Sequence, residues 1–375
     1  MKNLIFVPLI VALCVAANFA QGRKAADIYN RGLELHNAGN LDAALAEYEK
    51  AIALFPRYID AYNNRANIKL SRGDVAGAID DYSKAIQIAP DSHLGYFNRG
   101  VVYMNSGDFD NAIADFTKSI EAMPVFAMAY NNRGNARRGK KDFAGAMADY
   151  DKAIELFPEI FEAYFNRGGL RQEQGDIQGS IIDYSKALTI RPKDADTLAE
   201  QARSFHLKND LASAISNYNM AIEQKPDEPA FYFRRGLCFK ERKMPERAIA
   251  DLTKAIELDP ADEEMHFNLG AVLSDQKNFA GAAASYSKAL QINPANSISF
   301  FYRAVAYEEL NEYAKAIQDF TIAISLNGSY ARAFARRGAV LLKTGKKAEG
   351  QSDLRKAVTL DHSLKESYRG LLTGN

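Results

Sequence analysis

Tryptophan is absent from the chain, and its 375 residues include only two cysteines, Cys14 and Cys238. The missing indoles argue against a carbohydrate-binding module. Net charge is missing too: 47 basic residues offset 47 acidic ones. That balance argues against non-specific nucleic-acid binding, which needs an excess of Lys and Arg facing the phosphates. No block of like charge and no low-complexity linker interrupts the sequence, so one continuous body is expected. The histidines, His36, His93, His206, His266 and His362, stand without a second ligand at metal-site spacing. No P-loop, dinucleotide fingerprint or nucleophile elbow is present. The sequence therefore predicts no metal, no cofactor and no catalytic centre.

Long apolar runs are also scarce, and the one at the N-terminus stands apart. Lys2 is followed by an apolar stretch from Leu4 to Leu13, then by small residues at Ala16, Ala17 and Ala20. This pattern predicts a signal peptide over residues 1–24, cleaved after Ala17 or Ala20, and hence an exported chain, periplasmic or secreted. Two alternatives stay open: an uncleaved membrane anchor, and a lipoprotein acylated on Cys14, although Leu13 is bulky for the position before such a cysteine. The run is shorter than the ~20 apolar residues of a span. With the signal removed, Cys238 has no disulfide partner, and packing alone must stabilise the exported protein.

What the chain does have is a period. Pro56, Pro90, Pro124, Pro158, Pro192, Pro226, Pro260 and Pro294 recur every 34 residues. With each proline at the thirty-second position of its repeat, ten repeats run from residue 25 to 364, and a short cap of residues 365–375 follows. Apolar residues at helical spacing split each repeat into two helices, roughly Ile59–Arg72 and Val75–Ile88 in the second repeat. A glycine often separates them, as at Gly39, Gly73, Gly107, Gly175 and Gly345, and the proline stops the second helix. The eighth position is Gly or Ala in all ten repeats, and the twentieth is Ala in eight, with Ser180 and Gly350 the exceptions. Small residues there let paired helices approach closely. The predicted fold is all-α, a right-handed superhelical α-solenoid of ten helix-turn-helix repeats.

The repeat is its own comparison set. Arg fills the seventh position in eight repeats, and in those eight the twenty-third is acidic, as in Arg31 with Glu47, Arg65 with Asp81, Arg133 with Asp149 and Arg337 with Asp353. The two repeats without Arg also lack the acid, having Gln201 with Asn217 and Leu269 with Ser285. Joint loss predicts a structural ion pair between the helices of one repeat, because a half-buried charge needs its partner. Cys238 shares its repeat position with Val102, Val272 and Val340 and reads as a small core residue.

Period, small positions, aromatics such as Tyr62 and Tyr82, and the proline together resemble the tetratricopeptide repeat family from residue 25 to about 364. The chain departs from that pattern in lacking tryptophan, and in Gly328 and His362 replacing the ninth and tenth prolines. The resemblance implies a non-catalytic scaffold that binds protein or peptide on the face of its first helices. On that face the sixth position gives Asn30, Asn64, Asn98, Asn132, Asn166 and Asn268. A carboxamide both donates and accepts, so it matches the N–H and C=O of an extended peptide. The row is similar to the asparagine ladder in the tetratricopeptide superhelix of the O-linked N-acetylglucosamine transferase. It breaks at Glu200, Arg234, Tyr302 and Arg336. Beside it the fifth position adds Tyr29, Phe97, Phe165, Phe233, Phe267 and Phe301, expected either as exposed apolar anchors or as packing between repeats. Charge on this face changes from Arg138 and Arg203 to Glu241, Asp275, Glu308 and Glu309. No repeat has the lysine at the fifth position that the family's carboxylate clamp requires. The expected partner is an extended peptide or protein segment, with no nucleic acid and no membrane span in the mature chain. The alternative is an assembly subunit of an envelope complex that uses its convex face or its ends.

Overall fold

Amphipathic stretches of this length, broken by a turn and then by proline, leave each hairpin one apolar face that only its neighbours can cover. The computed structural model describes the backbone of residues 6–373 and the side chains of residues 21–372. Among those residues there are 22 helices and no strand. The chain divides into two compact units, Met1–Gln174 and Gly175–Asn375, the boundary falling inside the fifth repeat. Solenoid repeats touch only their neighbours, so no common core opposes such a division.

The first unit holds α1 (Phe6–Asn37), α2 (Leu41–Leu54), α3 (Ile59–Ser71), α4 (Val75–Ile88), α5 (His93–Asn105), α6 (Phe109–Ala122), α7 (Ala127–Gly139), α8 (Phe143–Leu156) and α9 (Phe161–Glu173). The second holds α10 (Ile177–Ile190), α11 (Ala195–Leu207), α12 (Leu211–Gln224), α13 (Pro229–Glu241), α14 (Pro245–Leu258), α15 (Glu263–Asp275), α16 (Phe279–Ile292), α17 (Ser297–Glu309), α18 (Tyr313–Leu326), α19 (Ala331–Lys343) and α20 (Lys347–Leu360). Two short helices, α21 (Leu364–Ser367) and α22 (Arg369–Thr373), close it. Residues 1–5 of the expected signal segment lie outside the described residues, and the rest of that segment runs without a break into the first repeat as α1. No described helix is long and apolar enough to cross a membrane.

The turn inside each repeat requires a left-handed residue at the fifteenth position. Glycine supplies it at Gly39, Gly73, Gly107, Gly175 and Gly345, with φ between 77° and 83°. Lys141, Asn209, Lys243, Lys277 and Asn311 adopt the same region at φ 58° to 64°, where a side chain costs about 1–2 kcal/mol. The gain is a helix-ending pair of hydrogen bonds, such as Asp74 N to Lys69 O at 2.9 Å and Gly73 N to Leu70 O at 2.9 Å. An aspartate then caps five of the ten second helices, for instance Asp74 accepting from Gly77 N. At the other end the residue before the proline can leave the helix in an extended conformation, as at Phe157 and Asp259.

Seven of the eight Arg–acid pairs lie wholly within one unit, and all seven form at 2.6–2.7 Å. The guanidinium does more than the sequence predicted. Its second amine reaches back to the twenty-fifth position of the preceding repeat: Arg99 to Ser83, Arg133 to Thr117, Arg235 to Asn219, Arg303 to Ser287 and Arg337 to Thr321, at 2.7–3.2 Å. Its plane lies over the aromatic ring of the fourth position, 5.4–5.7 Å away, for Arg65, Arg133, Arg235, Arg303 and Arg337. Gln201 keeps the backward bond, to Ser185 at 2.7 Å, without the charge, and Leu269 replaces it with packing against the core. In both of those repeats the fourth position is not a benzene ring either, but Leu198 and His266.

Arg303→Leu leaves the buried Asp319 (4% exposed) without its partner, and a loss of about 3 kcal/mol is expected. Adding Asp319→Ser reproduces the Leu269–Ser285 combination of the eighth repeat and should recover part of that loss. Urea denaturation of the two variants measures the difference; a double variant no more stable than the single one would show that the charges are not coupled. Cys238 is fully buried, and burial pushes its thiol up to about 12. Since the thiolate is the reactive form, an alkylating reagent at neutral pH is expected to label Cys238 only in denaturant.

Candidate functional site

The site is built from first helices. Where both lie in one unit, the eighth position packs inward toward the twenty-fourth, against the ring of Tyr48, Phe116, Tyr150 or Tyr286 or the side chain of Leu252 or Leu354, so the sixth faces away from the partner helix. Gly134 shows how close the approach is: a Cβ there would lie 2.7 Å from the Tyr150 ring.

Five of the six asparagines, Asn30, Asn64, Asn98, Asn132 and Asn166, belong to the first unit, one on each of its first helices. Asn30 is exposed and the other four are half-buried. They are partly engaged with the protein itself. Asn64 donates to the Tyr29 hydroxyl of the preceding repeat at 2.8 Å. Asn131, buried at the fifth position, donates to Asn132 Oδ1 and accepts from Asn166 Nδ2, each at 3.0 Å. These bonds hold the amides in line. Asn268, in the second unit, is buried; it donates to Glu264 O at 3.0 Å and accepts from Lys240 at 3.4 Å.

The aromatic row is placed mainly as packing. Phe301 is buried, and Phe97, Phe165, Phe233 and Phe267 are half-buried. Phe97 lies 5.7 Å from Phe116 and 5.0 Å from Phe126. Phe267 contacts Tyr286 and Tyr302, Phe301 contacts Phe320 and Tyr330, and Phe165 stacks on Phe161. Phe233 joins the core around Tyr218. The fifth position is only three residues from the inward-facing eighth, so its ring leans into the seam between hairpins rather than standing free.

Sequence reasoning missed a second row. Asn67 and Asn135, at the ninth position, accept from the hydroxyls of Tyr82 and Tyr150 at 2.5 and 2.7 Å. An amide whose oxygen is occupied this way turns its NH₂ outward as a donor. Asn67, Asn98 and Asn105 share a cleft of about 440 Å³ with Leu70, Phe97 and Val101, between α3, α4 and α5. None of its lining residues is charged. The signal was available: asparagine stands at the ninth position in the second and fourth repeats, each of which has tyrosine at the twenty-fourth.

Four of the charges on this face, Arg138, Arg203, Glu241 and Glu308, form ion pairs with neighbours. In the first unit Arg138 pairs with Glu173 at 3.0 Å. In the second, Arg203 pairs with Glu200 at 3.3 Å, Glu241 with His206 at 2.9 Å, and the buried Glu308 with Arg336 at 3.1 Å. No group of three or more His, Cys, Asp or Glu side chains able to hold a metal occurs among the described residues.

The stacked hairpins, the small-residue seam and the period agree with the sequence model of the tetratricopeptide repeat family, which matches residues 29–93, 97–159, 140–195 and 241–297, more than half of the chain. The chain belongs to the tetratricopeptide repeat family. A second model of the same repeat matches residues 285–318. No curated protein sequence matches this tetratricopeptide repeat protein. Among solved structures it is similar to MamA, at 22% identity over 47% of this chain and 96% of that one, TM-score 0.44. It is likewise similar to YrrB, described as a TPR protein with an unusual peptide-binding site, at 21% identity over 49% and 95%, TM-score 0.44. A tetratricopeptide repeat protein from Parabacteroides merdae is 20% identical over 66% and 97%, TM-score 0.49.

Asn131→Ala removes both bonds of a residue that is only 2% exposed, and a loss of about 1–2 kcal/mol is expected. Asn30→Ala, at an exposed site, is expected to change stability by less than about 0.5 kcal/mol. Thermal denaturation separates the two; equal effects would mean that the amide ties do not stabilise the row.

Proposed function

We propose that the first unit is a non-catalytic protein-interaction module that holds an extended peptide segment along its first helices. One observation carries this reading: a carboxamide on every first helix of that unit, flanked by a cleft without charge. Neighbouring first helices pack roughly 10 Å apart, about three residues of extended chain. Each half-buried amide then meets a peptide group of the ligand and offers it both a donor and an acceptor. Backbone recognition of this kind leaves the ligand's side chains unread except at the cleft. There the outward NH₂ of Asn67 and the apolar walls of Leu70, Phe97 and Val101 suit an uncharged, apolar residue, because an ion placed there would meet no counter-charge.

The balanced composition supports a protein ligand rather than a nucleic acid. The N-terminal run from Leu4 to Leu13 supports a site of action outside the cytoplasm. The proposal includes neither a cofactor nor a chemical step.

Panning a random-peptide display library tests the reading. The wild-type chain is expected to enrich peptides poor in charge. A variant with Asn64, Asn98, Asn132 and Asn166 all changed to alanine should keep its helical circular dichroism and enrich nothing. Equal enrichment by the two chains would sink the groove reading. Val101→Asp should shift the enriched peptides toward basic residues at one position; the same peptides as wild type would remove the cleft from the site.

A further inference from the structure

Each turn between repeats leaves its second helix at the thirty-first position, and in eight turns the next residue is proline, which has no N–H. The ninth turn differs. It reads Asn327-Gly328-Ser329, the one Asn-Gly pair in the chain. Asn327 keeps the extended conformation of the proline turns, φ −137° and ψ 91°, although no proline enforces it. Gly328 is not at positive φ, is exposed, and has nothing within 4 Å of where a Cβ would sit. Its N–H makes no hydrogen bond among the described residues. Meanwhile the Asn327 side-chain oxygen accepts two hydrogen bonds, from Ser329 N at 3.1 Å and Ser329 Oγ at 2.8 Å.

We propose that Asn327 is a site of spontaneous covalent self-modification. The Gly328 backbone nitrogen attacks Asn327 Cγ, forming a C–N bond and placing negative charge on Oδ1. The two Ser329 donors already point at that oxygen, an arrangement that stabilises a developing oxyanion. The Cγ–Nδ2 bond then breaks, and Nδ2 departs as ammonia with the proton from the Gly328 nitrogen. Water opens the resulting five-membered imide at either carbonyl, giving aspartate or its iso form, so that water replaces ammonia overall. Attack requires the peptide plane to rotate about the Asn327 Cα–C bond, and a glycine in open surroundings opposes that rotation least.

The preceding turn contains a natural control. Asn293 occupies the same position, with φ −125° and ψ 88°, and accepts from Ala295 N at 3.2 Å. Its successor is Pro294, whose nitrogen has no proton to give up, so Asn293 cannot follow this route. The product at Asn327 would act on the structure. A new carboxylate at the C-terminal end of α18 meets the negative end of the helix dipole. The iso form also lengthens the backbone where Tyr330 N donates to Asn327 O at 3.0 Å and the Tyr330 ring lies 4.9 Å from Phe301. Both changes loosen the docking of α19 on α18.

Incubating the full chain at mildly alkaline pH, with peptide mass spectrometry following Asn327 and Asn293 over time, tests the proposal. Conversion to mixed aspartyl and isoaspartyl products is expected at Asn327 and not at Asn293. Gly328→Pro, which restores the residue of the other turns, should abolish it, and Ser329→Ala should slow it by on the order of ten-fold. Asn327 converting no faster than Asn293, or at the same rate in Gly328→Pro, overturns the proposal. An unchanged rate in Ser329→Ala overturns the role of the hydroxyl donor.

Discussion

The guanidinium at the seventh position is the contact on which the rest of the structure depends. It binds an acid on its own second helix and a polar group on the preceding repeat, and it lies over an aromatic ring one turn back. One side chain thereby fixes the angle within a hairpin and the register between hairpins. Arginine suits this because its planar fork offers several donors at once, stacks on a ring and stays charged. Hydrogen bonding to Asp81 and Asp115 holds Arg65 and Arg99 above their ordinary pKa. The arrangement explains why substitutions come in groups: in the sixth and eighth repeats the arginine, the acid and the aromatic ring are all replaced.

Register between hairpins is what turns scattered asparagines into a row. Each first helix presents its sixth position on the same side only if successive hairpins are related by the same displacement, which the backward bond enforces. The amides then become close enough to bond to one another, and Asn131 ties two of them together. Such a row has less conformational freedom than free surface side chains would, which under the proposed function would lower the cost of ordering it on a ligand. The same closeness explains why the phenylalanines are not free anchors, since the seam that aligns the asparagines also takes up the rings beside them.

Much of this was legible in the sequence because a repeat compares a chain with itself. The joint absence of arginine and acid assigned their pairing correctly, and the predicted Val75–Ile88 helix has those bounds. The left-handed turn was legible only where glycine marked it; Lys141 and Lys243 adopt the same φ without any residue-level signal. Asn67 and Asn135 went unnoticed because each looks like an ordinary surface amide until its tyrosine is brought beside it.

By itself the sequence determined the period, the helices, the small-residue seam and the pairing of charges, all of which follow from residue types at fixed separations within one repeat. Tertiary structure decided what depends on two repeats at once. It engaged Asn64 with Tyr29 and Asn166 with Asn131, buried Asn268 and Phe301, and opened an uncharged cleft beside Asn98. The physical reason is that exposure and hydrogen-bond partners belong to the interface between neighbouring hairpins, and the distances across that interface are set by packing rather than by spacing along the chain.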